Sequence, residues 1–114
     1  MSLEESLGNL NVLLAESIDE TITALLSREV VDALYLYLQK VHFISKDEVP
    51  YKLETLGAIL ERTFGFSSSR TITKAIARKL YAKLALDFSD NSGRTLLEYV
   101  EEAKIKLHDR EGQL

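Results

Sequence analysis

A chain of 114 residues, 46% of them apolar and 28% charged, is long enough for one domain with a buried core and too apolar to stay disordered. It has no cysteine, which excludes disulfides, thiol catalysis, iron–sulfur ligation and cysteine-type zinc sites and fits a reducing, cytoplasmic setting. No apolar run approaches the roughly 18–20 residues that cross a bilayer, and Met1 to Glu5 lacks the basic start of a secretory signal, so no membrane association is expected.

The net charge of −4 conceals an asymmetry. The first 29 residues hold six acids (Glu4, Glu5, Glu16, Asp19, Glu20, Glu29) against Arg28 alone, whereas Ser67 to Ala85 holds five bases and no acid.

Leu3, Leu7, Leu10 and Leu14 recur at spacings of four, three and four, and Ile18, Ile22 and Leu25 continue the stripe. This predicts a long amphipathic first helix, with Gly8, Asn9 and Asn11 weakening its opening turns. Ser27 is placed to cap a second helix, with Glu29 near the positive end of its dipole. Its inward stripe is read as Val30, Leu34, Leu38 and Val41, widened by Val31, Tyr35 and Tyr37, and its stop falls at His42 to Ile44. Ser45 and Glu48 have capping-box spacing, but Pro50 follows within a turn, so one short turn is expected before a third helix opens near Tyr51. Leu53, Leu56, Ile59, Leu60 and Phe64 form the third helix's apolar face, and Gly57 would admit a close backbone.

Gly65 can end that helix, and Ser67, Ser68 and Ser69 offer hydroxyls for the next N-terminus. The fourth helix has two faces. Ile72, Ile76, Leu80 and Leu84, with Ala77 and Tyr81, make a core stripe running toward Leu86, while Arg70, Lys74 and Arg78 recur on another face with Lys79 and Lys83 on the flanks. After the polar connection Asp87 to Gly93, started by Asp90, Asn91 or Ser92, a fifth helix carries Leu96, Leu97, Val100, Ala103, Ile105 and Leu107. From His108 to Leu114 the apolar pattern fades and a loose tail is expected. The fold class is therefore all-α: a single-domain, irregular or orthogonal bundle of about five helices over residues 4–107.

Nothing in the pattern assembles a reactive centre. His42 and His108 lack triad or metal-pair partners, the serine run is not a nucleophile elbow, and no phosphate loop is present. Glu98, Glu101 and Glu102 suit a solvated helix surface. Asp87, Ser89, Asn91 and Glu98 imitate calcium-loop positions one, three, five and twelve, but position six is Ser92 where that loop needs glycine. No enzyme, metal or cofactor is expected. The basic helix leaves three readings open: solvated or internally matched charge, including a match to the acidic first helix within the chain or across a homodimer; an acidic protein partner; or nucleic acid, against the acidic pI near 5.2. The candidate partner-binding residues are Arg70, Lys74, Arg78 and Lys79.

Phe64-Gly65, the run Ile72 to Leu86 with its Leu80-Tyr81 and Lys83-Leu84 pairs, and Tyr99-Val100 followed by Glu102-Ala103-Lys104 carry a further signal. On these, the segment from about Leu14 to Lys104 resembles the Nitrosopumilus output domains, small helical domains of archaeal proteins often appended to signalling modules. The resemblance implies a small helical domain that sits beside signalling modules, and it brings no chemistry to transfer; the residues themselves lead to the expectation of a module that acts by binding a macromolecule, a protein partner or another copy of itself ahead of nucleic acid.

Overall fold

Leu10, Leu14, Ile18 and Ile22 are each 1% exposed or less, and they explain why the chain opens with one unbroken helix, α1 (Leu3–Leu25). Burying each of these side chains contributes about 1.5–3 kcal/mol. That outweighs the ~1 kcal/mol lost at Gly8 and the smaller penalties at Asn9 and Asn11. The computed structural model describes residues 3–91 and 93–112, and the side chain of Leu3, first in the expected stripe, lies outside what is described. At the other end the stripe stops early: Leu25 is exposed, and Leu26 packs against the core in its place because the chain turns there.

Ser27 caps α2 (Arg28–His42) as expected, its hydroxyl accepting the Val30 N–H at 3.3 Å. The inward face is narrower than the apolar pattern. Val31, Leu34 and Leu38 are buried and Tyr35 is half-buried, whereas Val30, Tyr37 and Val41 are exposed, since α2 packs chiefly against α1 along one edge. The helix ends on Phe43, whose φ of 57° lets the Ile44 N–H reach back to the Leu38 carbonyl at 3.0 Å.

The Ser45–Glu48 capping box is present, but it starts a six-residue 3-10 helix (Lys46–Tyr51) instead of a single short turn, and α3 (Leu53–Phe64) begins later than expected. Pro50 sits buried inside the 3-10 segment beside Val49. Leu53, Leu56, Ile59 and Leu60 are buried as the pattern indicates. Gly57, by contrast, has no atom within 4 Å of the position a Cβ would take, so no close backbone explains it.

Gly65, at φ 86° and ψ 167°, is the sole residue between α3 and α4 (Phe66–Lys83). That conformation is open to glycine and costly for any other residue. Because the chain re-enters helix at once, the serines are not caps but lie in the first turn of α4, where Ser69 Oγ donates to the Phe66 carbonyl at 2.9 Å. Ile72, Ile76, Ala77, Leu80 and Tyr81 enter the core. The helix ends before Leu86: the Leu86 N–H returns to the Tyr81 carbonyl (2.9 Å) and the Ala85 N–H to that of Ala82 (3.2 Å), a Schellman closure with Ala85 at φ 56°.

The start of α5 (Leu96–Gly112) is set neither by Asp90 nor by Asn91, and Ser92 lies outside the described residues. It is set by Thr95, whose Oγ1 accepts the Glu98 N–H (3.1 Å) while Glu98 Oε1 accepts the Thr95 N–H (3.0 Å). Leu96, Tyr99, Val100, Ala103 and Leu107 are buried, but Ile105 is 62% exposed because it falls on the far side of the helix from Val100, Ala103 and Leu107. His108 to Gly112 is helical, not a loose tail, and the Arg110 guanidinium donates to the Leu84 carbonyl at 3.1 Å; Gln113 and Leu114 lie outside the described residues.

The architecture is an all-α bundle with no strand among the described residues. α1 and α4 form its central pair, with α3 and α5 against α4 and the 3-10 segment against α1.

Candidate interaction surfaces

The basic face of α4 is matched from within the chain. Lys83 reaches Glu20 (3.2 Å) and Glu16 (3.6 Å), and Lys79 reaches Glu20 (3.4 Å), so the acidic α1 lies along the basic α4 of the same molecule. The Lys83 hydrogen bond foremost holds the Glu20 carboxyl below its ordinary range. Lys74 pairs with Asp90 at 3.1 Å. Arg70 donates to the Arg94 carbonyl at 2.6 Å and lies over the Phe66 ring at 5.0 Å. Arg78 stacks over Phe88 at 5.4 Å. Of the four residues expected to meet a partner, three have a hydrogen bond or ion pair inside the chain and Arg78 has an aromatic contact. Each exposed pair is worth only about 0–1 kcal/mol, yet together they cancel the local charge that an acidic ligand would seek.

The groups considered for catalysis are similarly occupied. Glu98 closes the cap of α5, and the Thr95 backbone hydrogen bond lowers its carboxyl's proton affinity; Glu48 does the same at Ser45. Glu102 pairs with Arg94 and with Lys106 (3.0 Å), Glu101 with Lys104, and His42 meets the edge of Tyr37. In the calcium-like connection the Asp87 carbonyl accepts Lys106 at 3.1 Å, and no group of three or more His, Asp or Glu able to hold a metal occurs among the described residues. That connection is held instead by aromatics: Phe88 stacks on Tyr99, and both meet Tyr81 edge-on. The Tyr81 hydroxyl donates to the Tyr99 carbonyl at 2.6 Å, and the Tyr99 hydroxyl bridges the Asn91 N–H and C=O. Burial raises the proton affinity of Tyr81. The Thr95-x-x-Glu98 box was legible as a capping signature; the aromatic cluster has no spacing signal of its own.

A different surface stands open. Val30, Ala33, Leu34 and Tyr37 of α2 and Ile59 and Phe64 of α3 line a groove of about 450 Å³, with Arg62 and Thr63 alongside. At 100° per residue, the apolar arc of α2 from Tyr37 through Val30, Val41, Leu34, Leu38 and Val31 to Tyr35 covers roughly 160°. The Tyr35 side is secured: its hydroxyl donates to Asp19 (3.1 Å), which Lys46 pairs at 3.1 Å while lying over the Tyr35 ring. On the other side Val30 and Tyr37 face the groove and stay 37% and 39% exposed, and Val41, a turn beyond Tyr37, is 52% exposed. Sequence periodicity finds these residues but assigns them inward, because it registers an apolar arc and not how much of that arc a neighbour covers.

No protein-family model, curated protein or solved structure matches the chain.

Proposed function

We propose that this chain is a non-enzymatic helical interaction module that acts by binding protein, in the signalling or regulatory setting its resemblance implies, and that it binds through the α2–α3 groove. The observation that carries this reading is the groove itself: apolar side chains of two helices converge there with no covering element among the described residues, as in sites that receive an amphipathic helix. Support also comes from the ionisable groups with displaced proton affinities. Glu20, Glu48, Glu98, Tyr35 and Tyr81 each have a packing or capping partner, and none of them lines the groove.

A displayed library of amphipathic helical peptides tests this. Selection on the wild-type chain should recover binders with apolar residues at helical spacing, and Tyr37→Glu should abolish their binding while helicity and melting temperature hold. Failure to recover any such binder counts against the reading. Nucleic acid as the partner of residues 70–83 is disfavoured, since Lys74 and Lys79 are committed to Asp90 and Glu20. The chain should accordingly pass heparin at low salt without retention; salt-dependent retention would restore that alternative.

A further inference from the structure

Resting on that reading, we infer that the groove's occupant is a second copy of this chain, joined through antiparallel α2 helices about a two-fold axis. Val30, Leu34 and Tyr37 of α2 line the groove, and the exposed Val41 continues their stripe by one turn. The stripe's spacing of four, three, four is palindromic about the point midway between residues 35 and 36. An antiparallel copy centred there therefore sets Val30 level with Val41 of its mate and Leu34 level with Tyr37 of its mate, so each apolar side chain meets another.

Charge selects the same arrangement. On one flank of the stripe α2 carries Glu29 at its start and Lys40 near its end, both exposed, and neither has a partner among the described residues. A two-fold axis perpendicular to antiparallel helices keeps like flanks on the same side. Glu29 of each copy then lies beside Lys40 of the other, within about one helical turn along the axis. A parallel two-fold pair would instead carry the two copies of this flank to opposite sides of the seam, leaving Glu29 and Lys40 without each other. The antiparallel arrangement also opposes the two helix dipoles. One helix pair and its grooves fall at the small end of specific interfaces, so the expected dimer dissociates in the micromolar range.

Sedimentation equilibrium over micromolar to low-millimolar concentrations, with a melt of every variant, tests the inference. Glu29→Lys and Lys40→Glu should each weaken self-association about tenfold, because two matched pairs become two repulsive ones. Mixing the two variants should produce a heterodimer, since one variant then carries a lysine at both ends of the flank and faces a glutamate at both ends of the other's. Restored association on mixing cannot come from a folding defect in either variant. A wild-type chain that stays monomeric throughout overturns the inference, as does a mixture that associates no better than its components. In either case the peptide selection with Tyr37→Glu still decides whether the groove binds protein at all, so the two readings fail separately.

Discussion

Nine of the fifteen residues of α2 are apolar against eight of the eighteen in α4, yet α2 buries three of its apolar residues and α4 buries five. The difference lies in neighbours. α4 lies between α1, α3 and α5, so both its apolar stripe and its cations find partners, whereas α2 leans on α1 and leaves half its arc uncovered. Burial follows how many elements surround a helix more than how greasy the helix is, and the uncovered remainder is where contact with another chain becomes possible.

The sharpest way to break this contrast is truncation on each side. Leu80→Ala, at a fully buried position, should cost about 3–4 kcal/mol in urea unfolding, from lost transfer energy plus the cavity left behind. Val41→Ala should change stability by under about 0.5 kcal/mol in dilute solution. Comparable losses at the two sites would mean that α2 is as enclosed as α4.

A polar version of the same test follows. Tyr81→Phe removes the 2.6 Å hydrogen bond that the Tyr99 carbonyl accepts in addition to its helical one and should cost about 0.5–1.5 kcal/mol. Tyr37→Phe, at an exposed ring whose hydroxyl has no described hydrogen bond, should be nearly neutral in the same melts.

Much of the fold was legible because helix periodicity and capping chemistry are local. Ser27, the Ser45–Glu48 box, the stop at Gly65 and the buried stripe from Ile72 to Leu80 all follow from side chains within a turn or two of one another. What escaped depends on distant neighbours. Val30 and Val41 carry the same apolar signal as Leu38, and only the position of α1 buries one and exposes the others. The basic face of α4 was visible residue by residue, but its neutralisation needs Glu16 and Glu20 from a helix some sixty residues away in sequence. The serine run misled because Gly65 restarts the helix one residue on, which turns expected caps into first-turn residues.

Two residues in left-handed backbone give a smaller, opposite effect. Ala85 at φ 56° closes α4 and Phe43 at φ 57° closes α2. An L-residue there costs roughly 1–2 kcal/mol, part of which glycine gives back through the flexibility of the unfolded chain, so Ala85→Gly should raise stability by about 0.5–1 kcal/mol. Phe43→Gly should gain a similar amount, since its ring is 84% exposed and contributes little packing. If Phe43→Gly destabilises instead, the ring is buried in solution against another molecule, and the α2 end is covered there.

Protonation separates the two regions most finely. Glu20, whose proton affinity is lowered mainly by Lys83, ties α1 to α4, and Glu98 and Glu48, lowered mainly by backbone N–H groups at Thr95 and Ser45, start α5 and the 3-10 segment. A carboxyl that binds its proton more weakly in the folded than in the unfolded chain contributes stability above the unfolded value, about 4.3 for Glu. That contribution is lost as pH falls through the folded value. Melting temperature should therefore be level between neutrality and about pH 5 and decline below it, with amide exchange quickening first at the Glu20–Lys83 contact of α1 with α4 and at the starts of α5 and the 3-10 segment. Tyr35 has the opposite sign. Burial, reinforced by the Asp19 carboxylate, raises its proton affinity, so its contribution is complete below the unfolded tyrosine value of about 10 and lost as pH climbs toward the folded one. Tyr81 loosens the core in the same alkaline range, so Tyr35→Phe is the discriminating variant. It should abolish the alkaline loosening of α2 and leave that of α4 in place. If instead it protects both helices equally, α2 and α4 open as one cooperative unit and the distinction between a sealed region and an open one fails.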